Sequence, residues 1–124
     1  MEDNKLIAEF MGLKNHLKNQ GVTKVLIDGD EHIQDWECYD VERDMIMTPI
    51  EMKYHTSWDW LMPVIEKIES LGYSFEKNYQ PIDNDWQCLI VKGHDIIYQS
   101  FNDDGLKSSY DVVVEFIKNY SNES

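Results

Sequence analysis

The sequence predicts an α+β domain, a mostly antiparallel sheet packed with about three helices, an order that also admits a three-layer α/β/α sandwich. Three observations lead there. Helix-like and strand-like apolar patterns follow one another as helix, strands, helix, strands, helix. Of the 124 residues, 42% are hydrophobic and 12% aromatic, enough to build a core without disulfide staples. The stretch Tyr54–Glu69 sets two tryptophans and a helix-start signal ahead of an amphipathic pattern, and marks the structural centre. The length is that of one domain, residues 1–124, with 121–124 as a frayed tail.

The first element is a short helix over Asp3–Met11. Leu6, Phe10, Leu13 and Leu17 form its stripe, with Ile7 and Met11 beside it, and Gly12 ends it. The segment 15–21 is polar and turn-like. Thr23–Ile27 is β-prone and closes on the turn dipeptide Asp28-Gly29. From Gln34 to Ile50, Trp36, Cys38 and Met45-Ile46-Met47 suggest strand pieces. Pro49 cannot donate to a ladder, so an irregular or edge strand is expected.

The main helix starts on Thr56-x-x-Asp59, read as a cap with a reciprocating carboxylate. Trp58, Leu61, Ile65, Ile68 and Leu71 supply its apolar stripe, and Gly72 stops it. Pro63 lies beyond the first turn, where it should kink the helix or split off a separate bend. Phe75–Tyr79 is a strand. Trp86–Val91 and Asp95–Phe101 read as a hairpin joined by Lys92-Gly93-His94, followed by a loop at Asn102–Gly105. A last helix covers Leu106–Tyr120, with Leu106, Tyr110, Val113, Ile117 and Tyr120 on one face. Its Val112–Val114 run lowers intrinsic helicity, so packing must hold it.

The formal net charge is −13 and unevenly spread. Between Asp28 and Asp44, eight acids (Asp28, Asp30, Glu31, Asp35, Glu37, Asp40, Glu42 and Asp44) stand against Arg43 alone, a balance of −7. Between Pro81 and Asp104, five acids stand against Lys92, a balance of −4. Such a surface repels nucleic acid and anionic membrane and attracts basic protein surfaces. The chain opens Met1-Glu2-Asp3-Asn4, without a basic leader, and has no apolar run near the roughly 18 residues of a membrane span. A cytoplasmic protein is expected. Cys38 and Cys88, far apart and outside any motif, are expected to be buried thiols.

Three pieces carry a resemblance: Tyr54-His55-Thr56-Ser57-Trp58-Asp59-Trp60-Leu61-Met62-Pro63-Val64-Ile65-Glu66-Lys67-Ile68-Glu69, Ile7-Ala8-Glu9-Phe10-Met11-Gly12 and Tyr110-Asp111-Val112-Val113-Val114-Glu115-Phe116-Ile117-Lys118. Together they resemble small proteins of Bacteroidota phages and prophages, a group similar to the phage helix–sheet–helix (ABA) sandwich domain. The resemblance implies a mobile-element origin and a fold. It implies no reaction and brings no catalytic residues. The segment 15–50 does not match and holds most of the negative charge.

Motifs for chemistry are absent. The four histidines show no H-x₃-H or H-E-x-x-H spacing, and the cysteines no C-x₂-C. Asp28-Gly29-Asp30-Glu31-His32 lacks the remaining EF-hand positions and reads as an acidic turn. No G-x-S-x-G or Gly-rich phosphate loop is present. His55 is explained by a hydrophobic staple onto Trp60. Trp60 lies about 200° around the helix from Trp58, so it either packs a second layer or is an exposed anchor, and packing is favoured. Trp36, Trp58, Trp60, Trp86, Tyr54 and Tyr98 are candidates for an aromatic binding face.

An enzyme is therefore not expected, nor a metal, a cofactor or direct nucleic-acid binding. The expected function is an acidic binding protein acting by protein–protein contact. It would inhibit a nucleic-acid-processing defence enzyme, in the manner of an anti-CRISPR, by occupying the basic nucleic-acid channel of a host protein. The eight acids of Asp28–Asp44 are its expected partner-binding residues. The alternative is a phage accessory or structural protein whose acidity serves solubility alone, with a small hydrolase ranking last.

Overall fold

A computed structural model describes residues 2–13, 23–27, 30–34, 38–40 and 43–123. The fold is α+β, with three α-helices and entirely antiparallel strand pairing among the described residues. The chain divides into two units, Met1–Met52 and Lys53–Ser124.

The first unit begins with α1 (Glu2–Phe10). Gly12 ends it with φ +90°, its N–H on the Glu9 carbonyl at 3.0 Å and that of Leu13 on the Ala8 carbonyl at 2.9 Å. This paired closure needs a left-handed residue, which glycine supplies without steric cost. The buried face of α1 is Asn4, Ile7 and Ala8, not the expected Leu6–Phe10 stripe, which is only half-buried; Leu17 lies outside the described residues. The rotation has a polar cause. Asn4 Nδ2 donates to the Met52 carbonyl (3.0 Å) and the Pro49 carbonyl (3.4 Å), tying α1 to the 3-10 turn Pro49–Glu51. Thr48 opens that turn, its N–H and Oγ1 donating to the Glu51 carboxylate at 3.2 and 2.9 Å.

Two antiparallel ribbons complete this unit. β1 (Thr23–Ile27) has the expected bounds and pairs with β2 (Asp30–Gln34), Ile27 opposite Asp30. β2 corrects the reading of Asp30–His32 as an acidic turn: cross-strand pairing with a β-prone run overrides the low strand propensity of Asp and Glu. β3 (Cys38–Asp40) pairs with β4 (Met45–Met47), so the interrupted strand pieces are a short ribbon. It buries Cys38 and Met47 and exposes Tyr39 and its partner Ile46.

The second unit begins with α2 (Trp58–Ser70). Its N-cap is Ser57, not Thr56, and Ser57 makes no side-chain cap bond. Instead the N–H groups of Thr56 and Ser57 both donate to the Lys53 carbonyl, at 3.1 and 2.9 Å. α2 continues through Pro63, whose missing N–H leaves the Asp59 carbonyl without its i+4 donor. Leu61, Val64, Ile65 and Ile68 are its buried face, Trp58 is half-buried, and Leu71 is exposed. Gly72, at φ +99°, is the stop. Tyr54, not His55, meets Trp60, edge-on at 5.1 Å, while the His55 ring lies 6.0 Å from that of Tyr110.

A three-stranded sheet follows in the order β5 (Ser74–Gln80), β6 (Asp85–Lys92), β7 (Asp95–Asn102). Each strand matches the expected run to within a residue or so at its ends. α3 (Gly105–Glu123) comes last and extends past the expected end at Tyr120. Its cap is Asp104, whose Oδ1 accepts from Leu106 N–H (2.9 Å) and Lys107 N–H (3.3 Å).

Both helices of this unit lie on one sheet face. Lys77 Nζ of β5 sits 4.6 Å from the Trp58 ring of α2 and 4.4 Å from the Trp86 ring of β6. Ser109 Oγ of α3 lies 3.3 Å from Cys88 Sγ on the same face, and Ser108 Oγ donates to the Ser100 carbonyl at 3.0 Å. These two fully buried serines let α3 approach β6 and β7 closely. The unit is thus two-layered, with no helix of its own on the opposite sheet face. Val112, Val113 and Val114 are all buried, so contacts around most of the helix offset the β-branched run.

Candidate functional site

Of the eight acids expected to meet a partner, Asp40 and Asp44 have described side chains. Asp28, Asp35, Glu37 and Glu42 lie outside the described residues. Asp30 and Glu31 belong to β2, opposite Ile27 and Leu26. Asp40 points inward and is 3% exposed. Its Oδ2 takes Arg43 Nη1 at 2.7 Å, and its Oδ1 accepts the Arg43 N–H at 3.2 Å. It closes the β3–β4 connection and presents no free charge. Asp44 is exposed, has φ +53° and accepts the Tyr39 hydroxyl. That hydrogen bond, with a smaller contribution from burial, raises the Tyr39 phenol above its ordinary 10.0.

The described aromatics of the expected face occur in separate pairs. Trp36 lies outside the described residues. Trp58 and Trp86 flank Lys77, and Trp60 packs on buried Tyr54. Cys38 and Cys88 are buried thiols, not joined in a disulfide. Among the described residues, no group of three or more His, Cys, Asp or Glu could hold a metal ion, and no helix is long and apolar enough to cross a membrane.

The feature that sequence reasoning missed is the sheet face away from the helices. Strand alternation puts Glu76, Leu89 and Gln99 in one row on it, and Asn78, Gln87 and Phe101 in the next. A row of amides crosses all three strands: Gln80 Nε2 donates to Gln87 Oε1, and Gln87 Nε2 to Gln99 Oε1, each at 3.1 Å. Beside it, Phe101 is 54% exposed and Ile96 55%. Leu89 is only 8% exposed at the centre of the face.

Acids flank this apolar surface. Glu76 lies on β5, Asp83 in the β5–β6 turn and Asp103 just past the end of β7, all exposed. Single exposed apolar residues are ordinary, but a strand face with several, next to β7, a sheet edge among the described residues, is a surface able to take a partner. The available signal was β7 itself. Asp95-Ile96-Ile97-Tyr98-Gln99-Ser100-Phe101 places large apolar groups on both faces, although a one-sided sheet needs them on only one. Comparison with known proteins adds no relative: no family model, curated protein or solved structure matches the chain.

Proposed function

We propose that the chain is a binding protein that acts by protein–protein contact in the cytoplasm, offering an acid-flanked apolar face to a basic partner surface. The observation that supports this reading is the uncovered sheet face, with Ile96 and Phe101 exposed within a segment of net charge −4. The apolar centre supplies desolvation energy, and the flanking acids supply steering and selection for a basic partner. The partner we favour is the basic nucleic-acid channel of a defence enzyme, such as a CRISPR nuclease, inhibited by a protein of mobile-element origin. The acids of Asp28–Asp44, other than Asp40, would add to the attraction for a basic partner.

The test is affinity capture of the tagged full chain from host lysate at low and at high salt, with partners identified by mass spectrometry. Nucleic-acid-binding proteins should be captured at low salt and lost at high salt. Replacing Ile96 and Phe101 with Ser should reduce capture while the melting temperature holds. Capture unaffected by that double substitution would remove the sheet face from the proposal. An absence of any salt-sensitive partner would favour the accessory role in which acidity serves solubility.

A further inference from the structure

On the helix-covered side of the same sheet lies an open cleft of about 160 Å³, lined by Tyr73, Lys92, Ile97, Tyr98, Phe116 and Tyr120. Its walls come from the approach to β5, the end of β6, the start of β7 and the second half of α3. The rings are mutually fixed. Tyr73 meets Phe116 edge-on at 4.8 Å, Tyr98 meets it edge-on at 6.2 Å, and Tyr120 stacks on it at 5.4 Å. Phe116 is fully buried beneath them.

Two features distinguish this cleft from a packing gap. The first is a bulge. Ile90 pairs with Tyr98 but Val91 pairs with Ile96, so Ile97 is an extra residue on β7. The bulge turns Ile97 into the cleft beside Tyr98 instead of leaving the two on opposite faces. The second is the cation. Lys92 Nζ lies 5.2 Å from the Tyr73 ring centroid. In a chain with 24 acids and 11 Lys and Arg, this ammonium makes no ion pair among the described residues, although its cross-strand neighbour is Asp95.

We propose that this cleft binds a small aromatic carboxylate, its ring between the tyrosine and Ile97 walls and its charge on Lys92. Size sets the class. Pockets for nucleotides and larger cofactors run from about 300 Å³ upward, whereas an apolar cavity of about 150 Å³ takes a single benzene ring. Chemistry sets the polarity. The ammonium opposes a cationic ligand and complements a carboxylate, and apart from the adjacent Asp95 the negative charge elsewhere on the protein is screened beyond about 8 Å at physiological ionic strength. The site is independent of the partner-binding face, because it lies on the opposite side of the sheet.

The experiment is an NMR titration of the labelled full chain with benzoate, its neutral isostere benzamide, and benzylamine. Benzoate should shift the resonances of Tyr73, Ile97, Tyr98, Phe116 and Tyr120 saturably. Benzamide should bind at least about tenfold more weakly, the loss of one charge-assisted contact, and benzylamine should not bind. Lys92→Met keeps the aliphatic stem, and Lys92 is exposed, so the fold should survive; this variant should abolish the preference for benzoate over benzamide. Equal binding of benzoate and benzamide to the unaltered chain would overturn the assignment of charge. Shifts spread over other lysines, or none up to the solubility limit of benzoate, would overturn the site.

Discussion

Asp40 separates acids that hold the fold from acids that are free to meet a partner. Its side chain is 4% exposed and that of Arg43 28%, so the two ends of their ion pair differ in access to water. Arg43→Ala strands a buried carboxylate with one remaining hydrogen bond, from the backbone N–H at 3.2 Å. An uncompensated buried charge of this kind costs about 2–3 kcal/mol. Asp40→Ala leaves a guanidinium that water can reach, and costs about 1–2 kcal/mol through the lost backbone and ionic contacts. The double variant should then cost little more than Asp40→Ala alone, a coupling of about 2–3 kcal/mol, close to the whole Arg43→Ala loss. Urea unfolding of the four proteins measures all three quantities. Additive losses, or single losses below about 0.5 kcal/mol, would show that the pair is a solvated surface contact. The result also bears on function, because reversing Asp40 alongside the other acids would confuse unfolding with lost binding.

Two further outcomes follow from local geometry. Lys77→Met keeps the stem between Trp58 and Trp86 but removes a cation from both indole faces. It should lower stability by about 1 kcal/mol and shift tryptophan emission, and unchanged emission would mean that the ammonium does not rest on the rings. Tyr39 has its folded pKa raised above 10.0, so its protonated form is the stabilising one. Its contribution is fully present below pH 10 and is lost as the pH rises through the elevated folded value; Tyr39→Phe should remove that alkaline loss from a stability–pH profile.

The residues explain how far the sequence could be followed. β1 and the β5–β7 sheet were legible because their apolar runs are bounded by turn residues such as Asp28-Gly29 and Gly93. Gly12 and Gly72 fixed two helix ends because each adopts a positive φ. β2 was hidden because Asp30 and Glu31 are poor strand formers, although they pair with Ile27 and Leu26 only a few residues earlier. The face of α1 was misjudged because a hydrophobic stripe cannot anticipate Asn4 satisfying two carbonyls some 45 residues away. Among the expected partner-binding acids, Asp40 carried its own warning: Arg43 three residues later can close a turn onto it. The helix-free sheet face was legible only through β7, whose large apolar groups fall on both faces, since no local pattern says which side of a sheet the helices will choose.

The order of elements has a consequence for synthesis. The sheet is complete at Asn102, yet α3, which shields Cys88 and Ile90, is translated afterwards. While it emerges, a nascent chain holds three strands whose greasy side awaits its lid and whose other side is also partly apolar. That interval is when self-association would compete with folding. Slow translation through the last helix, or its loss by premature termination, should send the product to inclusion bodies, whereas completion in the presence of a holdase chaperone should keep it dispersed.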